Sequence, residues 1–464
     1  MELSDDFKKY AIDSLGEKCA LSLFNTIVNK EQITSIRVNP LKGDSIFFKD
    51  LEKVKWSDFG YYLPNRIKFT LDPSFHAGLY YVQEASSMYM ELIFKAINNI
   101  DNSLLSKELN VLDLCAAPGG KSTHLLSLLN KNSLLVSNEV IKSRATILAD
   151  NIAKWGADNV VVTNNDPADF GNFKGFFDIV LVDAPCSGEG LFRKDPEAIV
   201  QWSIENVDLC AKRQRRILSD IWDCLKPEGF LIYSTCTYNK FENDENLIFL
   251  EKNLGANIIN LNSVNDCNLI VTKNGGLQFT PNNVKGEGQF VALVQKTSEE
   301  TFLKKSPKKT PQKSNDTCNF LPDNFIKILN GDLVKAYRPE MFDRIRFVEE
   351  NLRVVLSGIA VATKKGKDYI PHADLALYSE FVRMVGLQDV KGWEGNIKGK
   401  IAVVEVDKEC ALKFLAKEAI ILKDAPIGYI LLVYNGLGLG FVKNLGNRTN
   451  NLHPMARRIR MDIK

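Results

Sequence analysis

Val111-Leu112-Asp113-Leu114-Cys115-Ala116-Ala117-Pro118-Gly119-Gly120-Lys121-Ser122-Thr123 reads as a short apolar strand, a turn of small residues and the first turn of a helix. Small side chains let a ligand approach the backbone, and a helix N-terminus favours an anionic group such as a carboxylate. The spacing fits neither the G-x-G-x-x-G fingerprint nor a Walker A loop.

Downstream of this turn, short apolar runs alternate with longer helical stretches. Strands are predicted at 134–140, 160–163, 177–182 and 230–234, and helices at 142–155, 209–225 and 243–252. This βαβα rhythm predicts an α/β fold with a mainly parallel sheet covered on both faces. Right-handed crossovers then put all the strand ends, and the site, along one edge. Upstream, 1–100 is expected to form an α+β region, with a helix over 6–30 and a strand over 33–38. After 297 the pattern breaks. Lys304, Lys305, Lys308, Lys309 and Lys313 fall in a stretch with few apolar residues, read as a basic linker over 298–317. The remainder, 318–464, carries Trp393, β-rich runs and the glycines Gly436, Gly438 and Gly440. It is expected to be a small β-barrel-like module with little helix, ending in a basic tail with Arg448, His453, Arg457, Arg458 and Arg460.

Composition narrows the class. The chain has 464 residues, 45% hydrophobic and 25% charged, with a net charge of +2, so any nucleic-acid surface must come from local clustering. The first residues lack the apolar segment of a secretory leader, and no apolar run is long enough for a membrane span. The 9 cysteines include no C-x-x-C pair and no histidines at zinc spacing, so a reduced cytoplasmic protein with no metal is expected.

Three acids fall at the carboxyl ends of consecutive predicted strands: Glu139, where a ribose-binding acid falls in doubly wound folds, then Asp166 and Asp183. Each alone reads equally as a surface acid or helix cap. Cys186, in Asp183-Ala184-Pro185-Cys186-Ser187-Gly188, and Cys236, in Ser234-Thr235-Cys236-Thr237, also follow apolar strands. Buried structural cysteines usually sit within apolar runs, so these two are candidate functional thiols. The residues themselves leave open which is the nucleophile. His124, in the helix after the turn, reads as packed or solvent-facing and not as catalytic.

The three motifs D-L-C-A-A-P-G-G-K, D-A-P-C-S-G-E-G and S-T-C-T, in this order, resemble the Sun-type (nucleolar-protein/Sun) RNA cytosine-5 methyltransferases. The resemblance runs from Ile36 to Lys296 and includes Arg37-Val38-Asn39-Pro40, Gln83-Glu84-Ala85-Ser86-Ser87 and Gly286-Glu287-Gly288-Gln289-Phe290. The C-terminal region is similar to that of the bacterial RsmF-type subgroup. The resemblance implies a Rossmann-like class I methyltransferase domain over 101–297 and a PUA-like RNA-binding extension over 318–464. It implies S-adenosyl-L-methionine as cofactor, contacted by Cys115, Ala116, Ala117, Pro118, Gly119, Gly120, Lys121, Glu139, Arg144, Asp166 and Asp183. It gives Cys236 the nucleophile's role and Cys186 that of releasing the product. Asp183 would assist at ring N3, and Lys121 would orient Asp183 and the base.

The substrate implied is 16S ribosomal RNA of the small subunit, with no DNA and no membrane partner, acted on by a monomer. The region around Arg37, the lysine linker and the tail are the expected RNA contacts. Two alternatives stand beside it: the same chemistry on tRNA or 23S rRNA, and a non-catalytic RNA-binding ribosome assembly factor. The second conflicts with retention of both thiols. DNA cytosine methyltransferases use the Pro-Cys cysteine, whereas here a separate Thr-Cys cysteine is present.

Overall fold

Val111, Leu112, Leu135, Val136, Val161, Val180 and Leu181 are all fully buried, as expected of parallel strands with both faces covered. They come from a computed structural model that describes residues 3–29, 33–43, 48–267, 269–297, 318–386 and 401–463. The predicted linker over 298–317 and Trp393 lie outside the described residues.

The N-terminal region begins with α1 (Asp5–Leu15), capped by Ser4, and α2 (Glu17–Asn29). Gly16, at φ +80°, divides what the sequence suggested as one helix. Strands β1 (Thr34–Val38), β2 (Gly60–Leu63) and β3 (Tyr80–Val82) form a small antiparallel sheet in the order β2-β1-β3. Helices α3 (Pro73–His76) and α4 (Met90–Ile100) complete the region.

The main sheet is built from β4 (Asn110–Asp113), β5 (Leu134–Asn138), β6 (Val160–Thr163), β7 (Phe177–Asp183) and β8 (Leu225–Thr235), all parallel in the order β6-β5-β4-β7-β8. Between them run α5 (Gly120–Leu128), α6 (Lys142–Trp155), α7 (Pro196–Gln201) and α8 (Ile204–Trp222). Then follow α9 (Asp244–Leu254), β9 (Ala256–Ile259), β10 (Ile270–Val271), β11 (Leu277–Phe279) and β12 (Gln289–Lys296), which extends the sheet antiparallel beside β8. Two apolar cores, one on each face, hold the sheet between helices.

The C-terminal region departs from the expected module. It contains β13 (Ile326–Asn330), β14 (Leu333–Tyr337), α10 (Pro339–Asn351), β15 (Val354–Ser357), β16 (Ile359–Lys365), β17 (Asp368–Pro371), α11 (Ala373–Leu377) and α12 (Ser379–Gly386). After these come β18 (Ala402–Glu405), α13 (Lys408–Leu415), β19 (Gly428–Tyr434), β20 (Leu437–Asn444) and β21 (Thr449–Asn451). Among the described residues four helices thus replace the near-absence of helix expected, and the strands other than β15 form two open four-stranded sheets. Moreover, β15 pairs antiparallel with β6, and Met341, Ile345 and Val348 of α10 join the core of the main sheet. Gly438 and Gly440 are spacing residues: a Cβ there would lie 2.0 Å from the Ala376 carbonyl and 2.5 Å from the Phe414 ring.

Two expected RNA contacts are corrected here. Arg37 is fully buried and not on a surface. Its Nε donates to Gln83 Oε1 at 2.7 Å, and its Nη2 to Gly120 O at 3.0 Å and Thr123 Oγ1 at 2.5 Å. In the tail, Arg457 turns inward to pair with Asp374 at 2.7 Å and with Asp150 of α6, while Arg448, Arg458 and Arg460 remain exposed.

Candidate active site

The carboxyl ends of β4 to β8 open into a cavity of about 730 Å³. Asn138, at the end of β5, ties the strand ends together. Its Nδ2 donates to Leu114 O at 3.1 Å and Asn165 O at 2.9 Å, and its Oδ1 accepts from Thr163 Oγ1 at 2.8 Å. Of the residues expected from sequence, Cys115, Ala117, Glu139, Arg144, Asp166, Asp183, Cys186 and Cys236 line this cavity.

Ala116, Pro118, Gly119 and Gly120 stand behind the lining and shape the turn. Ala116 N–H donates to Asn138 O at 2.8 Å. Gly119 adopts φ +111°, a conformation open to glycine, immediately before α5. No side chain caps that helix, so its first N–H groups are left for a ligand. Asp113 is fully buried behind the turn: Oδ2 accepts from Ser122 Oγ at 2.6 Å, while Oδ1 has no protein partner. Burial raises its carboxyl to about 7, against the opposing bond from Ser122.

Glu139 is nearly buried and fixed from both sides. Oε1 accepts from Ile141 N at 2.9 Å, and Arg144 Nη1 lies 3.4 Å from Oε2. Arg144 Nη2 also donates to Ala117 O at 2.8 Å, so it joins the acid to the turn. Asp166 caps the short helix after β6 through Ala168 N and pairs with Arg216 of α8 at 3.2 Å.

The two thiols meet. Cys186 Sγ lies 3.1 Å from Cys236 Sγ and accepts from Cys236 N at 3.3 Å. The bond with Cys236, then burial, pushes the Cys186 thiol well above its ordinary range, so it is held protonated. Beside them, Lys121 Nζ donates to Asp183 Oδ2 at 2.7 Å, and Ser234 Oγ donates to Asp183 Oδ1 at 2.5 Å. Burial opposes the Lys121 charge, but Asp183 outweighs it and the ammonium titrates above its ordinary value.

Sequence reading missed the carboxylates that set the thiols' register. Glu242 Oε2 accepts from Ser187 N at 3.0 Å and Gln214 Nε2 at 2.7 Å. Glu189 accepts from Tyr238 N at 2.7 Å and Asn239 N at 3.1 Å, and Asn239 Nδ2 bridges both acids. One grips the loop after Cys186, the other the loop after Cys236. Their donors are three backbone N–H groups and the side chains of Trp202, Gln214 and Asn239, which are spread along the chain and form no local motif. Also missed was the basic rim on α8, where exposed Lys212, Arg213 and Arg216 line the cavity. The run Lys212-Arg213-Gln214-Arg215-Arg216 was its signal.

Comparison with known proteins bears on this geometry. Residues 104–295 match the 16S rRNA methyltransferase RsmB/F family, 3–85 the N-terminal domain of 16S rRNA methyltransferase RsmF, and 401–459 the methyltransferase RsmF PUA domain. Ribosomal RNA small subunit methyltransferase F of Shewanella loihica is 30% identical over 493 residues, spanning 98% of this chain and 95% of that protein. Its counterpart from Shewanella sp. (strain ANA-3) is 29% identical over 482 residues, spanning 98% and 97%. Among solved structures, a methyltransferase homologue from Pyrococcus horikoshii superposes with a TM-score of 0.52 at 25% identity, covering 63% of this chain and 95% of that one. NSun6 from the same organism shares the fold, with a TM-score of 0.51 at 18% identity over 64% of this chain and 99% of that one.

The cofactor is S-adenosyl-L-methionine, and the residues present fit it. The uncapped start of α5 suits its carboxylate, Glu139 suits ribose hydroxyls, and the apolar Val140, Ile141 and Pro167 on the cavity wall suit an adenine face. The chain belongs to the RsmF branch of the RsmB/F family of 16S rRNA methyltransferases, with an α/β methyltransferase domain and a C-terminal PUA domain.

Proposed function

We propose that this chain methylates carbon 5 of a cytosine in 16S ribosomal RNA through a covalent bond between Cys236 Sγ and ring carbon 6. The observation that carries this reading is the pair of thiols 3.1 Å apart beside the Lys121–Asp183 pair, all at the end of the cofactor cavity. Carbon 5 of cytosine is a weak nucleophile. Cys236 Sγ adds to carbon 6 while its thiol proton passes by way of Asp183 to N3, which moves an electron pair onto carbon 5. Bound S-adenosyl-L-methionine supplies the electrophilic methyl group. Asp183, with Lys121 and Ser234 on its two oxygens, is the group at hand to serve N3. Water then takes the carbon 5 proton, and the bond to carbon 6 breaks to expel Cys236, which regains the proton from N3. Cys186, held as a neutral thiol against it, is placed to assist that release.

A base can reach these groups only when unstacked. Lys212, Arg213 and Arg216 at the rim suit the flanking phosphates. The N-terminal region over 1–100 and the extension over 318–464 flank the 101–297 domain as further RNA-binding surfaces, with 298–317 as a basic linker. Among the described residues no helix is long and apolar enough to cross a membrane. We place the protein in the cytoplasm as a monomer acting on ribosomal RNA. One observation favours exchanged thiol roles: the Cys236 N–H aimed at Cys186 Sγ would steady a thiolate there.

The test is denaturing electrophoresis of the variants with RNA. Cys236→Ala should form no covalent complex, and Cys186→Ala should accumulate one; the reverse would exchange the roles. Bisulfite sequencing of RNA from cells with and without the gene names the substrate. Loss of a small-subunit signal is expected, and loss only in tRNA or 23S rRNA would overturn that assignment.

A further inference from the structure

Asp183 is held from the protein side by two hydroxyls in series as well as by Lys121. Ser234 in β8 is the register partner of Asp183 in β7, which brings its hydroxyl to Asp183 Oδ1 at 2.5 Å. Tyr89, just before α4, donates its phenol to Ser234 Oγ at 2.7 Å. A serine hydroxyl has one proton to give. With Tyr89 filling the acceptor side of Ser234, that proton is directed to Asp183. Burial, reinforced by Asp183, lifts the Tyr89 phenol well above its ordinary range, so it stays a donor. Both side chains are fully buried, and the Tyr89 ring also lies 5.7 Å from Lys121 Nζ.

We propose that Tyr89 and Ser234 are positioning residues for methyl transfer, forming a Tyr89–Ser234–Asp183 relay that fixes the carboxylate's orientation toward the base. The inference rests on the cytosine-5 reading of the same site, in which Asp183 serves ring N3. Hydroxyls serving only the core would bond each other or the backbone; these end on a carboxylate that lines the cavity and is 30% exposed. Each Asp183 oxygen receives one protein donor and keeps a second lone pair, which on the outward side can carry the proton that passes to N3.

The experiment is steady-state methyl transfer by the full-length protein to small-subunit RNA. A hydrogen bond to a charged group sets the expected scale. Ser234→Ala should lower kcat about 30-fold, with KM for both substrates within about twofold of wild type. Tyr89→Phe should lower kcat about 5-fold. Because Tyr89 acts only through Ser234, the double variant should be no slower than Ser234→Ala alone. Multiplying effects, an unchanged kcat in Ser234→Ala, or a loss confined to KM would overturn the relay. Product analysis separates the two layers. If wild type yields 5-methylcytosine and Ser234→Ala makes it with the same kcat, the relay alone falls. If wild type methylates RNA at another atom, the cytosine-5 reading falls and takes the relay with it.

Discussion

Helix α5 has a cation on each of two sides, Arg37 of β1 packed against it and its own Lys121, and the two are held in opposite ways. On the side of the N-terminal sheet, Arg37 sits among neutral acceptors: Gln83 Oε1, Gly120 O and Thr123 Oγ1, with the Trp155 ring 4.5 Å away. Burial lowers its guanidinium to about 9, with Tyr81 and Glu91 only partly opposing this. On the cavity side, Lys121 faces the carboxylate of Asp183, which raises its ammonium despite burial. A cation in a neutral cage fixes where the helix begins. In the proposed mechanism a cation against a half-open carboxylate serves chemistry, because it holds the group that passes a proton to the base.

Breaking the cavity side should cost activity and little stability. Lys121→Met is expected to lower kcat about 1,000-fold, with a thermal midpoint close to wild type, since Asp183 is partly solvated and keeps Ser234. A single-turnover methyl-transfer assay and a melt on one preparation read both. Breaking the other side should do the reverse. Arg37→Met leaves several buried acceptors unpaired and should destabilise the fold by about 4 kcal/mol in urea unfolding, with methyl transfer per folded molecule within a few-fold. If Arg37→Met instead stayed stable and inactive, the distinction between the two sides would fail.

That contrast also marks where sequence reading stopped. Glu139, Asp166, Asp183, Cys186 and Cys236 were legible because each follows a short apolar strand, and parallel topology sends all such ends to one edge. Arg37 was misplaced because a basic residue inside Ile36-Arg37-Val38 looks like an exposed alternate position. Its acceptors lie 46 to 90 residues away in the chain. In the C-terminal region, whose strands at 401–406 and 427–434 were legible, the helices were missed for a related reason. Glycines and β-branched runs signalled strands, but α10 and β15 are held by the apolar face of another domain, which local pattern does not report. The glycines meant close approach to Ala376 and Phe414, not a barrel.

The structural side of α5 should also show itself with pH. His124 is fully buried, its Nε2 is 2.9 Å from Glu91 Oε1, and its Nδ1 has no partner, which describes a neutral ring. Burial lowers it to about 4. Above its unfolded value of about 6.5 both states are neutral and the group adds nothing. As pH falls from there to about 4, the unfolded chain takes the proton first, and stability drops by on the order of 3 kcal/mol before levelling off. His124→Asn should flatten most of this slope in urea unfolding between pH 6.5 and 4. Some should remain, because burial holds His453 near 4 as well. A slope unchanged by the substitution would show that the ring is charged in the fold.

The smallest effect belongs to the cavity rim. Arg216 and Asp166 pair at 3.2 Å, with the arginine 55% exposed. An exposed pair contributes about 0.5 kcal/mol or less, so Arg216→Ala should leave unfolding nearly unchanged. Cofactor affinity, read by calorimetry, should move no more than about twofold, because Asp166 keeps its cap on Ala168 N and so its place on the rim. RNA affinity should respond instead. Loss of one phosphate contact predicts a logarithmic salt slope shallower by about 1. If cofactor binding collapsed while the salt slope held, Arg216 would belong to the cofactor side of the cavity, and the rim on α8 would lose its case as the RNA-facing edge.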